Sequence, residues 1–202
     1  LNQIKKAEDQ ITEGYTEISE EDYPQFLRDV FSASNNLLLS SGWVVCWFAF
    51  QWYQEIIDAF KETGFTPCPI PGYWVKQIAG QTLQPETRLG SVIEGFIYAR
   101  KGNAVLRKQG RNNSFPYQPV PTDYKVHPTE RPIEMIEDLI ETFCPPSGMV
   151  CSPFLGSGNT LLAAANLGVH CWGCDLDIEN EYKNAYINRV QSGSPGRYKS
   201  YG

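Results

Sequence analysis

The chain has 202 residues, is 42% hydrophobic, and carries a formal net charge of −6 with a sequence pI of about 5.0. That length and apolar content suit one globular domain with a sizeable core, and the acidic balance excludes wholesale wrapping of nucleic acid. Its longest apolar stretch, Trp43 to Phe50, is far short of the ~20 residues that a membrane-spanning helix requires, so no membrane partner is expected.

In chain order, Leu1 to Ile18 is polar and reads as a loop or mobile helix, opening on Leu-Asn-Gln-Ile-Lys-Lys, which has no signal-peptide pattern. Six cysteines without a spacing pattern suit a reducing compartment, so a cytoplasmic protein is expected. Ser19 with Asp22 predicts a helix start, and Tyr23, Phe26, Leu27, Val30 and Phe31 recur at helical spacing up to Asn35-Asn36. Trp43 to Phe50 then predicts a strand. Trp52 to Thr63 returns as a helix with Ile56, Ile57, Ala59 and Phe60 inward and Gly64 as its stop. Pro67, Pro69 and Pro71 break Phe65 to Lys76 into an extended or edge segment, and Ser91 to Ala99 alternates as a strand.

Gly102 to Val126, rich in Gly, Asn, Pro and bases, reads as an insertion loop. Charge is unevenly spread: Leu1 to Asp29 holds eight acids and three bases, whereas Arg88 to Lys125 holds seven bases and two acids. The loop is either a solvated connector or a nucleic-acid contact in which Arg107, Lys108 and Arg111 neutralise phosphates and Phe115 and Tyr117 stack on bases.

Met149 to Asp177 carries the chemistry. Val150 and Cys151 end a buried strand, Gly156 to Gly158 form a tight turn, and Asn159 to Asn166 form a helix stopped by Gly168. Val169 to Cys174 make a second strand, with Asp175 at its carboxyl end. In such a βαβ unit the turn and the acid flank one crevice, where a carboxylate can accept hydrogen bonds from a ribose diol. Leu161 stands where a dinucleotide fingerprint needs its third glycine, which disfavours NAD; Asn159 and Thr160 replace the Lys and Ser/Thr of a Walker-type loop. A nucleoside without a polyphosphate remains, of which S-adenosylmethionine is the commonest. The bland alternative is a strand-to-helix turn with a solvated acid. Cys171-x-x-Cys174 with His170 falls short of four zinc ligands, so no metal is assigned and the cysteines read as buried strand residues.

Val150-Cys-Ser-Pro-Phe-Leu-Gly-Ser-Gly-Asn-Thr160, preceded by His127-Pro-Thr-Glu-Arg-Pro132, resembles the paired signature of the amino-methylating DNA methyltransferases of the β arrangement. The resemblance implies an α/β, Rossmann-like fold, an open and mostly parallel sheet with helices on both faces, in one domain. Within it, 1–101 would be the target-base half, 102–126 the recognition loop, 127–190 the cofactor half and 191–202 a tail. It further implies S-adenosylmethionine held by His127, Thr129, Glu130, Pro153, Phe154, Gly156, Ser157, Gly158, Asn159, Thr160 and Asp175. The helix start after Arg131 would suit the cofactor's carboxylate. The target base and DNA would meet Trp74, Lys76 and the three loop bases, although from the residues alone Trp74, like Trp47, Phe48 and Trp52, is expected in the core rather than on a base. Ser152 stands in place of the family's Asp, and Asn159 in place of a Thr.

The family's catalytic tetrapeptide, an Asp, Asn or Ser acceptor followed by Pro-Pro and an aromatic Tyr, Phe or Trp, has no match. Cys144-Pro145-Pro146-Ser147 lacks the acceptor and the ring, and Ser114-Phe115-Pro116-Tyr117 lacks the paired prolines. The tetrapeptide is expected just upstream of Leu1, and loss of the strand leading to it would open the middle of the sheet. Two functions stay open: a site-specific DNA methyltransferase of adenine N6 or cytosine N4, as in restriction-modification, and a truncated or inactive module that binds cofactor and DNA without transfer. The base and a homodimeric state are left undecided.

Overall fold

The structure, a computed structural model, describes residues 18–78, 82, 84–176 and 181–192. The expected N-terminal loop up to residue 17, Asp177 and the tail after residue 192 lie outside the described residues.

Ser19 and Asp22 meet as their spacing predicts: the Ser19 hydroxyl donates to the Asp22 carboxylate at 2.6 Å, and the Asp22 N–H donates back to Ser19 Oγ at 3.1 Å. Helix α1 (Tyr23–Leu37) follows, and the Lys101 ammonium donates to the Asn35 and Leu38 carbonyls at its end. Cations suit that end because the last carbonyls of a helix lack partners. Strand β1 (Gly42–Phe48) leads through a 3₁₀ turn to α2 (Tyr53–Glu62), stopped at Gly64 with φ 87°. Leu27 and Phe31 of α1 pack on Ile56, Ala59 and Phe60 of α2, with the Phe31 and Phe60 rings stacked at 3.9 Å.

These helices cover one face of a five-stranded sheet made by β1, β2 (Thr66–Pro67), β3 (Gly72–Lys76), β4 (Ile93–Lys101) and β5 (Ser114–Tyr117). The main order is β1-β4-β3-β5, with β2 also on β4. β4 is antiparallel to each of its partners, while β3 and β5 are parallel; β4 alone therefore runs against the common direction. Its period of two is plain: Ile97 and Ala99 join the α1–α2 core, while Phe96 and Tyr98 face the other side with Trp74 and Phe115.

Two expectations are corrected. Phe65 to Lys76 is extended as expected but only its first part is an edge: Pro67 sits in β2, which among the described residues pairs with β4 alone, Pro69 and Pro71 fall in the bend that follows, and the proline-free Gly72–Lys76 pairs on both sides. A Cβ on Gly72 would lie 2.1 Å from the Phe96 ring, so glycine lets β3 close on β4. The second is the insertion loop. It contains β5, with Ala104, Phe115 and Val120 buried, and Pro116 is tolerated because β5 is the edge strand.

Helix α3 (Ile133–Phe143) joins the halves. Met135 and Leu139 pack beneath the five-stranded sheet, whereas Ile133 and Ile140 pack with α4 (Asn159–Asn166) against a second sheet. That sheet is parallel and two-stranded, β6 (Met149–Ser152) on β7 (His170–Gly173), and α5 (Glu181–Gln191) follows it. Among the described residues β1 pairs only with β4 and β6 only with β7, so the two sheets are not hydrogen-bonded to each other. Val150 and Cys171 face the helices; Met149, Cys151, His170 and Trp172 are exposed. Among the described residues helices lie on both faces of the five-stranded sheet and on one face of β6–β7. Among the described residues no helix is long and apolar enough to cross a membrane.

Candidate functional site

The site begins where β6 ends. Gly156 (φ 53°) and Gly158 (φ 78°) take left-handed backbone that a side chain resists, and they turn the chain into α4. A Cβ on Gly158 would lie 2.6 Å from Tyr186 of α5, and one on Gly156 would lie 3.3 Å from the His127 ring. The Gly156 N–H donates to Asp175 Oδ2 at 2.6 Å. The turn and the acid therefore converge, as the βαβ reading requires. Gly173 makes the approach of the strands tight: a Cβ there would lie 2.5 Å from the Ser152 carbonyl oxygen.

His127 lies over the turn, edge-on to Tyr182 at 4.7 Å, with Nδ1 3.3 Å from the Thr129 N–H and 3.2 Å from its hydroxyl. Burial pushes the His127 pKa down, against the opposing pull of the Asp175 and Glu130 carboxylates. Pro153 and Phe154 are exposed, and the Phe154 ring sits 5.8 Å from Phe26, linking the turn to α1. Ser157 is buried, and Thr160 half-buried.

Glu130 and Asn159 are placed differently from the expectation that both hold cofactor. The Glu130 side chain is fully buried. Its Oε1 accepts from Asn159 Nδ2 at 2.9 Å and Arg189 at 2.8 Å; its Oε2 accepts from the Val126 N–H at 2.8 Å. Asn159 also donates to the Arg131 carbonyl at 2.8 Å and accepts from Arg189 at 2.6 Å. The amide at 159 thus has a physical reason. It can donate to a carboxylate and accept from a guanidinium at once, tying α4 to α5 and to the segment before α3. Both residues hold the site from behind.

The residues expected on the target-base side are placed as follows. Trp74 is core, 3% exposed, with its indole N–H donating to the Tyr117 carbonyl at 2.9 Å. Lys76 pairs with Glu94 at 2.8 Å, and Arg131 pairs with the same carboxylate at 3.0 Å while stacking on Trp47 at 4.1 Å. Two of the three loop bases are tied down. Lys108 pairs with Asp138 at 3.1 Å and Glu141 at 2.6 Å; Arg111 pairs with Asp138 and lies 3.5 Å over Phe115. Asp138 is held below the usual carboxylate range. Burial acts against this, and hydrogen bonds from Arg111, Lys108 and Tyr117 outweigh it. Arg107 remains exposed, its N–H donating to the Thr142 carbonyl.

Sequence reasoning missed Asp138, Glu94 and Arg189. A signal existed for the first: Asp138 and Glu141 lie three apart on a helix otherwise apolar on its buried side, matching bases three apart at 108 and 111. Cys174 is exposed and Cys171 half-buried, which corrects their reading as buried strand residues; among the described residues helices cover one face of the parallel sheet.

A mostly parallel strand set with helices on both faces, and a glycine turn meeting an acid beyond adjacent strand ends, define a Rossmann-like α/β domain. Residues 5–188 match the model of the DNA methylase family of N6 and N4 methyltransferases, and the chain belongs to that family. It is 24% identical over 159 residues to a protein of Escherichia coli (strain K12) named methylase YubD, a match covering 75% of this chain and 64% of that one. It is 35% identical over 77 residues to the type II methyltransferase M.BglII of Bacillus subtilis, 38% of this chain and 20% of that one. The chain thus spans less than two thirds of the length of these relatives. The crystal structure of the M1.HpyAVI-SAM complex shares the fold with a TM-score of 0.73 at 23% identity, over 84% of each chain.

Proposed function

We propose that the chain serves the transfer of a methyl group from S-adenosylmethionine to an exocyclic amine of adenine or cytosine in a specific DNA site. The observation that carries this reading is the Gly156 N–H bonded to the exposed Asp175 carboxylate, beneath the His127 ring and beside the amino end of α4.

The residues present fit a nucleoside cofactor. Asp175 has a second carboxylate oxygen for a ribose diol, and Gly156 and Gly158 keep the turn clear of side chains. Pro153, Phe154 and Thr160 line the same turn, while His127 and Thr129 stand at its other wall. Glu130, Ser157 and Asn159 keep that frame rigid. When bound, S-adenosylmethionine supplies an electrophilic methyl group on a sulfonium. The protein's own part is to bind, orient and hold the acceptor amine in line with it. A cytoplasmic setting belongs to the same proposal, resting on six cysteines without a spacing pattern.

A second reading, binding without transfer, has its own support. Cys144-Pro145-Pro146-Ser147 forms a turn before β6, closed by the Gly148 N–H on the Pro145 carbonyl, at the opposite end of that strand from the glycine turn. Ser114 to Tyr117 is strand β5. Neither places an acceptor at the site. Calorimetry with S-adenosylmethionine, followed by tritiated methyl transfer to DNA, separates the two. Binding with transfer supports the enzyme, and binding alone supports the module. Asp175→Ala is expected to weaken cofactor binding by about 1–3 kcal/mol if a charged hydrogen bond is lost. Unchanged affinity would remove the ribose assignment.

A further inference from the structure

Glu94, at the start of β4, has each carboxylate oxygen held by a different cation. Lys76 Nζ lies 2.8 Å from Oε1, and Arg131 Nη2 lies 3.0 Å from Oε2. The cations come from separate elements, Lys76 from the end of β3 and Arg131 from the segment entering α3, four residues after His127. Each rests on an indole: the Lys76 ammonium is 5.0 Å from the Trp74 ring centre and the Arg131 guanidinium 4.1 Å from that of Trp47. All three charged side chains remain 22–34% exposed.

Two cations thus converge on one anion, held in place by the aromatic faces. The Asp138 cluster is built otherwise. Its carboxylate side chain is 13% exposed and takes Lys108, Arg111 and Tyr117 together, about two helical turns further along α3. That anion is locked in. Glu94 instead bridges two solvent-reachable cations through its two oxygens, as the two non-bridging oxygens of a phosphodiester would. Partly exposed pairs of this kind contribute little net stability, so exchange is not costly.

We propose that Glu94 is a built-in stand-in for phosphate, and that Lys76 and Arg131 exchange it for a backbone phosphate of DNA entering the crevice. The Glu94 carboxylate then turns out to water. The proposal rests on the reading of the chain as a DNA-acting protein and names the phosphate contact of that site.

The test is fluorescence anisotropy with a short fluorescein-labelled DNA duplex across a salt series, on the full chain and on Glu94→Gln and Lys76→Gln. Glu94→Gln, which removes the competing anion, is expected to tighten binding by about three- to tenfold, and Lys76→Gln to flatten the slope of log K against log salt by about 0.9. Glu94→Gln that binds no tighter, or a duplex that none of the proteins binds, overturns the proposal. If Glu94→Gln fails to unfold cooperatively on heating, Lys76→Gln decides alone: a slope equal to that of the parent chain overturns it. Calorimetry with S-adenosylmethionine is the separate arm. Cofactor binding with DNA affinity unmoved by Glu94→Gln sinks this proposal only, whereas no cofactor binding by the parent chain sinks the methyltransferase reading.

Discussion

The two sheets are held together by different forces. The five-stranded sheet is secured by area: Phe60, Ile56, Phe96 and Ile97 are fully buried, and rings pack through both of its faces. The β6–β7 sheet has four-residue strands and one covered face. It relies on a buried carboxylate, on glycines that allow close approach, and on helix α3, which it shares with its larger neighbour. Aromatic area makes a platform, and hydrogen-bond geometry makes a site whose ligand-facing groups stay open.

This contrast can be broken experimentally. The largest loss is expected at the platform: Phe60→Ala should cost about 4 kcal/mol through lost burial and a cavity against Phe31, read as a shift in the urea midpoint. A loss below half of that would mean that area is not what secures the sheet. Glu130→Ala comes next, at about 3 kcal/mol, because it removes the buried carboxylate to which Arg189 and Asn159 both donate. Here the shape of the transition is as informative as its position. A second, earlier unfolding step confined to the β6–β7 half would sharpen the division between the sheets.

Gly173→Ala should cost about 1–3 kcal/mol by overpacking against the Ser152 carbonyl. A neutral result would show that β6 and β7 can part without penalty. The smallest effect is set by pH. His127 has a lowered pKa in the folded state, chiefly through burial, so its contribution to stability is present above the ordinary value of 6.5 and is lost as pH falls through the lowered one. His127→Gln should remove that loss in a pH series of thermal melts. Asp138, midway along α3, behaves alike, its contribution lost as pH falls from 3.8 through its lowered pKa.

Local rules explain most of what could be read ahead. Asn159–Asn166 is bounded as expected because the glycine turn before it and Gly168 after it are signals within the helix's own neighbourhood. Gly64 stops α2 for the same reason. The convergence of Gly156 and Asp175 was legible because a βαβ unit leaves little choice of where its turn and following acid can meet. β3 was misjudged because a proline-rich approach obscured five proline-free residues, whose partners lie at 93–96 and 114–117. Glu130, Asn159 and Arg189 are polar residues separated by 29 and 30 positions, and no spacing rule announces a cluster over that distance. The loop bases were read as free because their carboxylates sit on α3, about 30 residues away.

The bare side of β6 and β7 also offers a practical handle. Cys151 projects there between Met149 and the cross-strand Trp172, all three reachable by solvent. An environment-sensitive dye coupled to that thiol would brighten whenever another surface settled over it, and the indole alongside would act as an energy donor. An uncovered face of the small sheet would thereby become a reporter of company.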